Sequence, residues 1–190
     1  MSSLKADFDE LLERIKHGRD FRQASFEPIY YLVFSTSKII DVKRHMNAWT
    51  SKLNNAGWTV NTFSIYENIQ DILSNSPLRK IWLSADGKAP TDWNKTNQSL
   101  AEAVSKGQLL ARLDKKLDEI KDQTNPILLV TDLEALHPYL RIGAIESQLQ
   151  GKFVAPTIFF YPGERTGKTK LKFLGFYPDD GNYRSVHVGG

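Results

Sequence analysis

Apolar residues recur along this chain at two spacings, and the switch between them predicts an alternation of helices and strands. Leu4, Phe8, Leu11, Leu12 and Ile15 share one helical face, with charges opposite. The run PIYYLVF at 28–34 is short, unbroken and rich in aromatic and β-branched residues, which predicts a buried strand. Ser35, Thr36 and Ser37 then supply N-cap candidates. Ile39, Val42, Met46, Trp49 and Leu53 follow at steps of three and four, a helix that Gly57 terminates. WTVNTFSIY (58–66) alternates over part of its length and predicts a second strand, and 67–80 predict a short helix before Pro77.

The polar stretch 84–98 is dense in turn formers and predicts a flexible loop. From about 99 to 121, Leu110, Leu113, Leu117 and Ile120 mark a long helix. PILLVTD (126–132) predicts a third buried strand, and a helix opens near Pro138 and runs through Gln150. TIFFY and KLKFLGFY predict a β-hairpin joined by a polar, glycine-containing loop. DDGN (179–182) predicts a tight turn into a last strand, YRSVHV. The order implies a single α/β domain over 1–190: a three-layer sandwich, its mainly parallel sheet carrying an antiparallel C-terminal edge, like a degenerate P-loop-type fold. A ligand crevice then belongs at the carboxyl ends of the parallel strands, among Ser35, Thr36, Lys38, Asp132 and Gly163.

Composition narrows the classes. With 190 residues, 41% hydrophobic and 25% charged, the chain is of ordinary globular make-up. A net charge of +3 does not argue for nucleic acid. The absence of cysteine excludes disulfides, thiolate chemistry and cysteine-bound clusters. No apolar run reaches the roughly 20 residues of a membrane span. The amino-terminal stretch lacks the apolar centre of a signal peptide, so a cytoplasmic location is expected.

Candidate chemistry is sparse. YPGERTGKTK (161–170) imitates a phosphate loop, but Pro162 stands where its first glycine belongs, and alternation rather than a helix follows. After the first strand, FSTSKII has a lysine, Lys38, but no glycine, and reads as a serine-capped helix in preference to an anion site. Asp132 ends an apolar strand, as a magnesium-holding aspartate does, yet Thr131 and Glu134 also spell a capping box around it, the preferred reading. The four histidines have no ligand spacing, and no cofactor or metal is expected. Arg165, Lys168, Lys170 and Lys172 form a basic stripe that would contact nucleic acid weakly and non-specifically, or, as preferred here, guard an edge strand. Phe173, Phe176 and Tyr177 read as core. Arg141, near the amino end of its helix, opposes the macrodipole, so it needs a carboxylate such as Asp132 or a binding role.

ILLVTDLEALHPYLRIGAIESQLQ, then PTIFFYPGE, then LKFLGFYPDDGNYR resemble the BrxB family, small components of the bacterial BREX phage-defence systems. The motifs that match are His137-Pro138-Tyr139-Leu140-Arg141, with histidine in place of the family's first aromatic, Tyr161-Pro162-Gly163, and Asp180 with Tyr183 and Arg184, all within 126–190. The resemblance implies a cytoplasmic, non-catalytic protein working with other BREX components: a PglZ alkaline-phosphatase-like protein, a methyltransferase and a large ATPase. Arg141, Tyr183 and Arg184 are then candidates for the surface that holds a PglZ-like partner. Two alternatives stay open: a nucleotide or anion sensor using a remnant P-loop-like pocket, and a DNA-contacting subunit.

Overall fold

The β1 strand (Ile29–Phe34) is buried at all six positions, as an apolar run without alternation requires. It lies inside a sheet known from a computed structural model that describes residues 3–18, 27–167, 170–181 and 185–190. Helix α1 (Leu4–Gly18) precedes β1, and α2 (Ile39–Asn55) follows it. Then come β2 (Thr59–Ser64), α3 (Ile65–Ser74), α4 (Arg79–Lys88), α5 (Asn94–Ser105) and α6 (Gln108–Ile120). The chain continues through β3 (Pro126–Thr131), α7 (Ile142–Gln148), β4 (Thr157–Thr166), β5 (Lys170–Phe173), β6 (Asp179–Gly181) and β7 (Val186–Gly189). Among the described residues no helix is long and apolar enough to cross a membrane.

The main sheet runs β2-β3-β4-β1-β7, and every pair in it is parallel. Side chains alternate between two cores. Tyr31 and Val33 face a cluster built with α3, α5, α6 and α7, while Tyr30, Leu32 and Phe34 face one built with α1 and α2. Each fully buried leucine, isoleucine or phenylalanine in these clusters contributes about 1.5–3 kcal/mol. β4 outlasts its neighbours. It pairs with β1 as far as Pro162, then with antiparallel β5 from Gly163 to Thr166.

Several expectations change here. The antiparallel part is an extension, β4-β5-β6, and the final strand returns to pair in parallel with β1. Asp179–Gly181, expected as a tight turn, is a strand paired with β5. The hairpin's first strand continues through Thr166, and its second stops at Phe173 because Leu174 adopts φ 53° and turns the chain. The stretch 84–98 is largely helical, with only 89–93 between α4 and α5. Trp82 anchors that pair, its Nε1 donating to Ser99 Oγ at 2.9 Å. The single long helix over 99–121 is two helices, because Gly107 takes φ 84°, a left-handed conformation that separates α5 from α6.

Candidate functional site

The carboxyl ends of β1, β2 and β3 open beneath α2 into a cleft of ≈270 Å³ floored by Phe34, Val42, Met46 and Phe160. Ser64 ends β2 and caps α3: its Oγ accepts from the Glu67 N–H at 3.2 Å and donates to Asp132 Oδ2 at 2.7 Å. Asp132 follows β3 at φ 58°, and the Thr131 hydroxyl donates to the same carboxylate at 2.9 Å. Lys43, on α2, completes the arrangement, 2.7 Å from Asp132 Oδ1 and 2.8 Å from Glu134 Oε1.

Electrostatics follow the geometry. Burial pushes the Lys43 ammonium down, but the hydrogen bonds and charges of Asp132 and Glu134 outweigh it and raise its pKa to about 12. Burial pushes Asp132 up, and the donors Lys43, Ser64 and Thr131 reverse that to a net lowering. Lys43 is therefore committed to two carboxylates rather than open to a phosphate, and Asp132 is a weak base. Among the described residues no group of three or more His, Asp or Glu is placed to hold a metal ion.

Of the expected crevice residues, only Asp132 lines this cleft. Ser35 caps a 3-10 turn at Thr36–Lys38, accepting from the Ser37 N–H at 3.4 Å, and exposed Lys38 pairs with Asp41 at 3.3 Å. Gly163 serves pairing instead: a Cβ there would stand 2.3 Å from the Lys172 carbonyl oxygen of β5. The capping box does not form, since Asp132 is the cap of the turn at Leu133–Leu136, with no side-chain cap bond, and Glu134 faces Lys43. Sequence reasoning missed Lys43 because nothing local marks an α2 lysine as the partner of a β3 aspartate.

A second cluster surrounds Arg141. This residue is the extended N-cap of α7, which begins at Ile142 and not near Pro138. Its guanidinium lies 3.7 Å over the ring centroid of Tyr177, while the cation at Asp132 is Lys43. The Tyr177 hydroxyl hydrogen-bonds His137 Nδ1, and the Phe176 ring packs tilted against Tyr177 at 4.6 Å and edge-on to His137 at 5.5 Å. Phe173 is core as expected, but Phe176 is 62% exposed and Tyr177 half-buried. Tyr183 and Arg184 lie outside the described residues, as does Lys168.

The remaining basic residues are dispersed in role. Arg165 Nη1 donates to the His187 carbonyl at 3.2 Å. Lys170 and Lys172 lie on β5, which pairs with β4 on one side and β6 on the other, so they guard no edge. His187 is buried, with Nε2 2.9 Å from Ser185 Oγ and its ring edge-on to Tyr31, whose hydroxyl donates to buried Glu146.

No curated protein and no solved structure matches this chain. One family model does, under the description BREX protein BrxB, over residues 61–188. The matched span reaches well upstream of the motifs at 126–190, back into β2, and includes Ser64, Asp132 and the whole Arg141–Tyr177 cluster. With about two-thirds of its length matched, the chain belongs to the BrxB family, and that membership implies a component of BREX phage exclusion.

Proposed function

We propose that the chain is a non-catalytic assembly component of a cytoplasmic BREX complex, acting through protein–protein contacts with a PglZ-like protein as its partner. The observation that carries this reading is the exposed Phe176 beside the Arg141–Tyr177 stack. Aromatic and arginine side chains are enriched in the buried cores of protein interfaces, where they anchor binding. The crevice adds support: its lysine is neutralised by two carboxylates, and its aspartate is a poor proton acceptor. The same observation weighs against the anion-sensing alternative. Among the described residues, a DNA-contacting role would have to rest on Lys170 and Lys172, since Arg165 is tied to the backbone of β7.

The test is affinity for the purified PglZ-like protein. Phe176→Ala and Arg141→Glu should each weaken binding by at least about tenfold, a loss of about 1.4 kcal/mol or more, typical of interface anchors. Phe176→Ala should melt like the parent, because Phe176 is exposed, whereas Arg141→Glu forfeits the contact with Tyr177 and should remain folded with a loss of about 1–2 kcal/mol. Parental affinity in both variants overturns the reading.

A further inference from the structure

β2 stands at one end of the sheet and, among the described residues, pairs only with β3. Its sequence, TVNTFS, has neither charge nor proline, the usual guards of an exposed edge. The Thr59 N–H donates inward to the Asn125 carbonyl at 2.9 Å. By the two-residue period of a strand, Asn61 and Phe63 also face β3, and the backbone N–H and C=O groups of Val60 and Thr62 face outward. The free edge stops at Ser64, whose carbonyl accepts from Asn68 Nδ2 at 2.8 Å.

Two clefts flank this edge, one on each face, and they share Thr62, Ser64 and Glu67. The cleft beneath α2, ≈270 Å³, sets the carboxylates of Asp132 and Glu134 against the single ammonium of Lys43, while Glu67 stands between the two clefts and lines both. The cleft beside α6, ≈260 Å³, is lined by Arg112, Lys115 and Lys116. Arg112 is paired with Asp71 at 2.6 Å, but among the described residues the two lysines pair only with the carboxylate of Glu119, at 3.8 and 4.0 Å. Apart from the shared Glu67, the cleft beneath α2 thus carries excess negative charge and the cleft beside α6 excess positive charge. A strand laid against β2 sends successive side chains to opposite faces, hence into opposite clefts.

We infer that the outer edge of β2 accepts an extended segment of a BREX partner protein by strand addition, with Val60 and Thr62 supplying backbone pairing and the two clefts reading a basic side chain beneath α2 and an acidic one beside α6. Main-chain bonds supply the affinity in this mode, and the alternate side-chain pockets supply the selectivity. The inference rests on the reading of the chain as an assembly component and adds a surface separate from the Arg141 cluster.

Thr62→Pro separates binding from folding, because it removes an N–H that the sheet does not use. Hydrogen exchange at Val60 and Thr62 is measured for the chain alone and assembled with the PglZ-like protein, the methyltransferase and the large ATPase. Assembly should slow both amides at least tenfold. Thr62→Pro should melt like the parent and bind at least tenfold more weakly, and the Lys115→Glu, Lys116→Glu double variant should also lose affinity. Unchanged exchange at both amides within a formed assembly overturns the inference, even if Thr62→Pro fails to fold. So does parental affinity of a folded Thr62→Pro, or its conversion of a homodimer to a monomer, which would give the edge to a second copy. If Arg141→Glu releases the partners while Thr62→Pro does not, the edge inference fails and the assembly reading stands; if no assembly forms with any of the three proteins, both fail.

Discussion

At Asp132 three donors meet one carboxylate, and only one of them, Thr131, is its neighbour in sequence. The energetic ranking of the partners follows from exposure. The Lys43 side chain is 48% exposed, so solvent screens its pairs and Lys43→Ala should cost only about 1 kcal/mol. Asp132 is 19% exposed and accepts from three groups, so Asp132→Ala removes more: the Ser64 and Thr131 hydroxyls lose their acceptor, while Lys43 keeps only Glu134. The cost of Asp132→Ala should be about 2–3 kcal/mol. Urea denaturation of both variants checks the ranking, and a larger loss for Lys43→Ala would contradict it. The residue types at this site were legible, since an aspartate ending an apolar run is conspicuous. Its partner was not, because an ion pair between α2 and β3 leaves no periodic trace.

Among the elements, β4 and β5 approach closely enough to demand glycine. An alanine at Gly163 would drive Cβ to 2.3 Å from the Lys172 carbonyl, a backbone atom that cannot rotate away. Gly163→Ala should therefore cost about 1–3 kcal/mol and loosen the β4-β5-β6 extension. Gly143, inside α7, meets nothing within 4 Å and has no positive φ, so Gly143→Ala should stabilise by about 0.5–1 kcal/mol. Thermal melts of the two alanine variants should move in opposite directions, and a shared direction would refute the contrast. Helix boundaries show the limit of local reading in the same way. The apolar stripe of 99–121 continues across Gly107 because α5 and α6 both face the same core, so periodicity alone joins what φ 84° divides. In the loop expected at 84–98, Trp82 and Ser99 tie two short helices together through a contact that no composition count registers.

At the scale of the whole molecule, the seam where β7 joins β1 holds a group whose burial should make stability depend on pH between about 4 and 6.5. His187 is buried there against Tyr31, with Arg165 of β4 bonded to its carbonyl. Burial, helped by the Arg165 charge, lowers its pKa from 6.5 to about 4. The folded state thus disfavours the imidazolium. Stability is complete above about 6.5 and is lost as pH falls toward 4, because the unfolded chain binds the proton first. The loss approaches about 3 kcal/mol at most. His187→Gln should flatten the stability profile across that window, and an unchanged slope in the variant would assign the acid sensitivity elsewhere. The sequence alone determined the α/β class, most strand and helix cores, and the BrxB kinship, because burial patterns with periods of two and 3.6 and short motifs are local properties. The tertiary structure decided the strand order, the parallel return of β7, Lys43 as the partner of Asp132, and the exposure of Phe176. Those depend on which surfaces meet in space. A hydrophobic pattern says that a face is buried, and only packing says against what.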